Sequence, residues 1–495
     1  MQSGPRSRTI LILTLVLAGC GASPAADSGA KSGGTSGQST GGKTGSGGSG
    51  GSDVGNGGSV GTGGTGVLTD DAKLYAQATA DFSAKKYMVA RTEFQTLLAQ
   101  YPKTSYADKA TVYIGVCDFE LRNLMQAKSE LQAFFKDFPA SSDADRAQYY
   151  LGRCDYSLAS FPQALLDFQA VIDKYAMSSY RDNAEFWLGR TYTAVTPPAY
   201  DKALAAFHQV ISDSPRGTVA PEAQFWIGRT YFDIKDYATA RTELDRQLST
   251  YPKSPFEPDA KLYLARCDFE AGNYMVAQAA LKLIAATFPM AGAIDHVNYW
   301  IARCLYSLLD YAGALGGFQK IIGMWPQSTI ADNSAYYAGR AMYDLKMYAA
   351  AEKQLADAEK NYPMSNVLDG IIVWLGKAQF GQGAFAMAEA TEKRILAQFP
   401  SAPSTPEGHY WLGRAILAQK RLPEALAKFK EVIAKYPGSV FADNAADYLV
   451  RTDVDMVNCA GANTDYAAFK AAFPMSPRLA GSCAYKKAKC GGVCP

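Results

Sequence analysis

One basic residue recurs along most of the chain: Arg153, Arg190, Arg229, Arg266, Arg303, Arg340, Lys377, Arg414 and Arg451. Every step is 37 residues except the 39 between Arg190 and Arg229. Four residues earlier stand Tyr149, Phe186, Phe225, Tyr299, Tyr336 and Tyr410, and three residues later Tyr156, Phe232, Phe269, Tyr306, Tyr343 and Phe380. Guanidinium groups beside rings can grip a partner's carboxylates through paired hydrogen bonds and stacking. They can equally stiffen their own chain, stacking on the rings and pairing with Asp233, Glu270 and Asp344, each four residues on. The net charge of the whole chain is only +2, so the charge of this row is placed rather than general. The same balance argues against a nucleic-acid partner and against general binding to a membrane surface.

The thiols fall into groups. Cys117, Cys154, Cys267 and Cys304 share one repeat position, which marks them as core residues. Neighbouring helices lie about 10 Å apart, whereas a disulfide needs Cα atoms within about 7 Å, so these four are not expected to bridge. Cys459, Cys483, Cys490 and Cys494 cluster near the C-terminus. In an exported chain they favour two disulfides, with three pairings open. A four-thiolate zinc site is the alternative, although no Cys-x-x-Cys pair occurs. His208, His296 and His409 occupy three different repeat positions and belong to no metal, triad or phosphate motif. No catalytic residue, cofactor, metal or small-molecule substrate is therefore assigned, and the chain is not read as an enzyme.

The elements that position these residues follow from the same period. Prolines, most of them after Tyr or Phe, recur at Pro102, Pro139, Pro215, Pro252, Pro289, Pro326, Pro363, Pro400, Pro437 and Pro474. Ala90, Ala127, Ala164, Ala203, Ala240, Ala277, Ala314, Ala351, Ala388 and Ala425 keep the same beat, which counts ten units and an eroded eleventh. A two-residue insertion near Thr196-Pro197-Pro198-Ala199 accounts for the one long step. Inside a unit, Leu262, Tyr263, Cys267 and Phe269, then Tyr274, Ala277, Leu281 and Ile284, recur every three to four residues, which predicts two helices. The second ends at the proline, which cannot continue a helix. Six residues after the proline stands an aspartate such as Asp108, Asp332 or Asp443, or a proline such as Pro221 or Pro406, and both suit a first helical turn. A fixed period of this length means a solenoid in which each unit buries its apolar face on its neighbours.

The pattern resembles the tetratricopeptide repeat. Gly115, Gly152, Gly189, Gly228, Ala265, Ala302, Gly339, Gly376 and Gly413 match its small residue of helix A, and Leu131, Phe168, Phe207, Leu244, Leu281, Phe318 and Leu355 its bulky residue of helix B. Two features depart: bulk stands two residues before the small one, at Tyr150, Trp187, Trp226, Trp300, Trp374 and Trp411, and the period is longer, with the extra residues in Pro-x-Ser loops. These features are similar to long-period repeats of bacterial envelope proteins: the repeat lipoprotein of the outer-membrane β-barrel assembly machinery and the Tol-Pal-associated periplasmic repeat protein. The resemblance implies an all-α, right-handed α-solenoid. It places the basic row, with Tyr299, Tyr306, Tyr336 and Tyr343, on a concave groove that receives a partner.

At the N-terminus Arg6 and Arg8 precede a short apolar run, too short to cross a membrane, that ends in Leu17-Ala18-Gly19-Cys20. This end resembles the bacterial lipobox, which implies cleavage before Cys20, lipidation of its thiol and sorting to the outer membrane. Residues 20–66 are almost all Gly, Ser, Thr and Ala and read as a disordered tether. The expected organisation is a signal peptide at 1–19, the lipidated linker at 20–66, the solenoid at 67–438 and a degenerate repeat with a Cys-rich cap at 439–495. Such a chain is expected to be a lipid-anchored scaffold in the periplasm, binding protein or peptide partners during envelope assembly or maintenance. An adaptor for cell-wall or polysaccharide machinery, and a direct glycan binder, are the alternatives.

Overall fold

The structure, a computed structural model, describes residues 68–491. The signal peptide, Cys20, the linker and Cys494 lie outside the described residues. Among the described residues there are 23 helices and no strand, arranged as eleven consecutive pairs and one closing helix. The chain is an all-α repeat solenoid. It divides into two compact bodies, one ending at Ala260 and the other beginning at Lys261. The first body holds the pairs from Asp70–Ser83 with Tyr87–Gln100 to Ala220–Asp233 with Tyr237–Thr250. The first helix of the sixth pair, Glu257–Glu270, carries the boundary. The second body runs through Val440–Asp455 with Cys459–Ala472 to the closing helix Leu479–Cys490.

Each helix starts and stops for local reasons. The first helix of a pair closes on a residue in the left-handed region, such as Lys346 with φ of 60°, and the Met347 N–H then bonds the Met342 carbonyl at 2.8 Å. The second helix ends where the Tyr362 N–H bonds the Ala358 carbonyl at 2.9 Å, and Pro363 stops it. The fourth pair contains the insertion: residues 195–199 separate its helices, where residues 158–160 suffice in the third.

Within a pair the two helices meet at the small residue. A Cβ placed on Gly189 would lie 2.6 Å from the Phe207 ring, and one on Gly339 would lie 2.5 Å from Leu355 Cγ. A methyl group at either position would force the opposite side chain to move. Two pairs carry alanine instead, Ala265 and Ala302, and opposite Ala302 Gly317 leaves room for the methyl group. The core continues from pair to pair within a body. Ala90, Phe94 and Leu97 pack with Ala110, Ile114 and Cys117, and Ala351, Leu355 and Ala358 with Ile371, Leu375 and Ala378. Cys117, Cys154, Cys267 and Cys304 are all buried in this core. Burial pushes the Cys117, Cys154 and Cys304 thiols up to about 12, which makes them poor nucleophiles.

The aspartate of the first turn does more than meet the helix dipole. Its carboxylate accepts the serine hydroxyl of the loop that closes the same pair: Ser141 to Asp108 at 2.6 Å, Ser178 to Asp145 at 2.6 Å, Ser328 to Asp295 at 2.5 Å and Ser365 to Asp332 at 2.7 Å. Thr104 serves Asp71 in the same way at 2.8 Å. The serine oxygen also accepts an N–H two residues on, as Ser365 does from Val367 at 3.1 Å. The loop residues that lengthen the period thus tie the start of one pair to the turn that launches the next.

The stretch Cys459-Ala460-Gly461-Ala462-Asn463 begins a helix, Cys459–Ala472. Asn458 caps it by accepting the Gly461 N–H at 3.1 Å, so the glycine belongs to the cap rather than to a break. Cys459 is bonded to Cys490 with Cα atoms 5.4 Å apart, joining the start of this helix to the end of the closing helix. Cys483 is also disulfide-bonded.

Removing one latch tests its contribution. Ser365→Ala leaves the Asp332 carboxylate without its hydroxyl donor, and because the site is only part-buried the loss is expected to be about 1 kcal/mol. Urea unfolding of Ser365→Ala beside Ser365→Thr checks it, with threonine retaining most of the stability.

Candidate partner-binding site

The basic row is brought into register on the first helices of successive pairs within each body. Most of these cations lie near an aromatic ring of the following pair, in most cases the ring two residues before that pair's small residue. Arg153 is 4.0 Å from the centroid of Trp187, Arg190 3.8 Å from Trp226, and Arg266 4.8 Å from Trp300. Arg303 lies 4.1 Å over Tyr337, Arg340 4.6 Å over Trp374, and Arg414 4.4 Å over Tyr448. Arg229, Arg266 and Lys377 are closest to rings of their own helices, Trp226 at 4.3 Å, Tyr263 at 4.4 Å and Trp374 at 3.2 Å. Arg451 reaches Tyr485 of the closing helix at 5.3 Å. A desolvated contact of this kind contributes about 2 kcal/mol, so the row joins neighbouring pairs.

Several expected groove residues are not available to a partner. Arg190 is 2% exposed and Lys377 7%, and burial lowers the pKa of both. Tyr299 is 5% exposed, with its hydroxyl accepting Arg303 Nη1 at 3.0 Å, and burial pushes it up to about 12. Tyr149, Phe186, Phe225 and Tyr410 are buried as well. These rings fill the space between pairs, Tyr149 stacking on Tyr180 and Tyr410 meeting Phe441. Tyr306, Tyr336 and Tyr343 are only partly buried. Asp344 also departs from expectation, since it accepts a hydrogen bond from the Tyr306 hydroxyl instead of pairing with Arg340. The pairing of Arg229 with Asp233 is present at 3.8 Å.

The charges of the row are not equally compensated. Arg190 faces Glu222 at 3.7 Å, Lys377 is bonded to Glu407 at 2.8 Å, and Arg451 to Asp447 at 2.8 Å. Among the described residues no carboxylate lies within ion-pair distance of Arg303, Arg340 or Arg414. These three are half-buried and held by rings and by tyrosine hydroxyls, Arg414 Nη1 donating to Tyr410 at 3.2 Å. The second body therefore carries a positive, ring-lined strip. No cluster of His, Cys, Asp or Glu fit for a metal is found among the described residues. His409 is buried, with Nε2 at 3.0 Å from Glu431, and Nε2 of His296 meets Thr329 at 3.2 Å.

Helix pairs closed by a small residue against a bulky one define a tetratricopeptide-repeat protein, and a tetratricopeptide repeat profile matches residues 199–258. The chain belongs to the outer membrane lipoprotein family YfiO, whose profile matches residues 69–191 and 328–456, together just over half of the sequence. Among solved structures it is similar to a tetratricopeptide repeat protein from Parabacteroides merdae, at 16% identity and a TM-score of 0.45, over 55% of this chain and 99% of that one. The human IFIT1 dimer with m7Gppp-AAAA is similar at 13% identity and a TM-score of 0.48, over 86% of this chain and 95% of that one. The C-terminal part of a repeat protein from Cytophaga hutchinsonii is similar at 18% identity and a TM-score of 0.38, over 52% and 98%. A search of curated protein sequences finds no match. Repeats of this family make the chain a scaffold for protein interactions.

The ladder predicts an energetic coupling between a cation and the next ring. Trp374→Leu keeps apolar volume but removes the ring, and Arg340→Gln removes the cation. In a double-mutant cycle by chemical denaturation the two changes are expected to couple by about 0.5–2 kcal/mol.

Proposed function

We propose that the chain is an outer-membrane-anchored lipoprotein whose repeats hold protein partners during envelope assembly or maintenance. The observation that carries this reading is the match to an outer membrane lipoprotein family over just over half of the chain. It is supported by the lipobox-like Leu17-Ala18-Gly19-Cys20 ahead of a Gly/Ser-rich linker. No described helix is long and apolar enough to cross a membrane, which agrees with attachment through lipid. On this reading residues 20–66 are the tether and the repeats reach into the periplasm.

The partner surface is the strip around Arg303, Arg340 and Arg414. A half-buried guanidinium with no carboxylate of its own gains most from an acidic or carboxylate-bearing partner, which supplies the missing charge. A glycan binder is less well supported. Sugars need open ring faces, and here the faces of Tyr337, Trp374 and Tyr448 are covered by guanidinium groups.

Two variants test the proposal. Cys20→Ser should release the protein from the membrane fraction; sedimentation with outer membranes in high salt places the anchor elsewhere. Arg303→Gln with Arg340→Gln should reduce recovery of partners from solubilised envelopes at least tenfold, each lost charge-assisted bond costing about 1.5–3 kcal/mol. Arg303→Lys with Arg340→Lys retains the charges and should recover most of the binding. Unchanged recovery with a lowered thermal midpoint would show the row to be structural.

A further inference from the structure

The ninth pair, Leu368–Gly381 with Phe385–Gln398, breaks the packing rule that the others keep. At the helix B position filled by Leu281, Phe318, Leu355 and Phe429 stands Glu392. It is 0% exposed, and neither carboxyl oxygen has a hydrogen-bond partner. The carboxyl group is wedged between two glycines. A Cβ on Gly376 of the pair's first helix would overlap Oε1, and one on Gly408 of the next helix, Thr405–Ala418, would lie 3.1 Å from Oε2. Gly408 itself stands where other pairs have Ala110, Ala147, Ala184, Ala223 or Ala445. The sequence has thus put an acid at a three-helix junction and removed a methyl group to admit it.

The surroundings do not neutralise a carboxylate there. Lys377 faces it from the pair's first helix and Glu407 from the next pair, but these two are already bonded to each other at 2.8 Å. The remaining charged groups on the three helices are engaged elsewhere: Asp369 with Ser404, Glu389 with Lys393 and Arg421, Arg394 with Glu359, His409 with Glu431, and Arg414 with Tyr410. An ionised carboxylate without hydrogen bonds is unstable in such a place, whereas the neutral acid packs like the leucine it replaces. Burial first, then Glu407, pushes the Glu392 carboxyl well above the usual carboxylate range.

We propose that Glu392 is a proton-operated joint: its neutral acid seats the ninth pair against the tenth, and loss of that proton as pH rises loosens the contact. The joint lies inside the basic row. An ionised Glu392 competes with Glu407 for Lys377, which stands between the uncompensated Arg340 and Arg414. Opening the joint therefore alters the strip between those two arginines. This inference rests on the packing of the ninth pair alone and stands whether or not the strip binds a partner.

The direction of the pH dependence follows from linkage. The folded state holds a proton that the unfolded chain gives up near pH 4.3. The joint is therefore fully stable below that pH and weakens as pH rises toward the folded value. Between the two values its opening constant grows by up to tenfold per pH unit. Asp167 is pushed up to about 7, and Asp259 and Asp465 to about 6, so melting of the whole chain mixes several slopes. Hydrogen exchange read by mass spectrometry separates them locally.

The intact protein is compared at pH 5 and pH 8, after correction for intrinsic exchange, with residues 294–324 as internal control. In the wild type, protection of residues 385–418 is expected to fall by at least tenfold relative to the control at the higher pH. Glu392→Gln removes the titration while keeping the shape, and Glu392→Leu restores the residue usual at this position. Both should abolish the pH dependence, and Glu392→Leu should be better protected than wild type at pH 8. Equal pH dependence in wild type and Glu392→Gln overturns the proposal. So does a Glu392→Leu variant less protected than wild type at pH 8, because the carboxyl would then be a structural requirement.

Discussion

The rest of the structure depends on how closely the two helices of a pair approach. Where Gly189 meets Phe207 and Gly339 meets Leu355, one helix presents bare backbone and the other a large apolar side chain. Dispersion and apolar burial reward such a fit, and they are lost steeply with a small displacement. The contact sets the geometry of the pair, and a fixed pair presents the same face to its neighbour each time. Within a body each pair adds one step, held by its own core and by the core shared with the next.

On that frame polar groups act at the ends of pairs and between them. The aspartate-serine bonds tie the first turn of a pair to the loop that leaves it, and several row arginines, Arg340 among them, lie near a ring of the following pair. A guanidinium is more weakly hydrated than an ammonium and stacks on rings, so it can sit half-buried in such a seam. Where the chain supplies a carboxylate, as Glu407 does for Lys377, the charge is spent internally. Around Arg303 and Arg340 it is not. One row thus serves cohesion along its length and leaves charge available in one part of it.

Much of this was legible in the sequence, because period and residue size are written there directly. The positions of Gly115 to Gly413, the closing prolines and the two-residue insertion place the helices closely. The buried thiols follow from their repeat position. What escaped has a common cause: it depends on contacts between residues about 34 apart, which helical spacing within one element does not show. The tryptophans before the small residue could be noted as bulk, but their role as seats for Arg153 or Arg340 needs the next pair in place. Tyr299, expected on the groove, is buried because its ring meets Tyr337 of the next pair, a contact that spacing within one helix does not show. The signal for the latch was present in the constant spacing of Asp332 and Ser365, and that for the joint in a charged residue at an apolar position.

The close approach of paired helices is tested most directly by adding one methyl group. In an open helical position Gly→Ala raises stability by about 1 kcal/mol, through helix propensity. Gly316 is such a position, with nothing within 4 Å of where its Cβ would stand. Gly339 is the opposite case, with Leu355 Cγ 2.5 Å from that point. Chemical denaturation of the two variants should give changes of opposite sign: Gly316→Ala more stable than the parent, Gly339→Ala less stable. If Gly339→Ala is stabilised to the same extent as Gly316→Ala, the helices have room to spare, and the account of the fold given by this packing is contradicted.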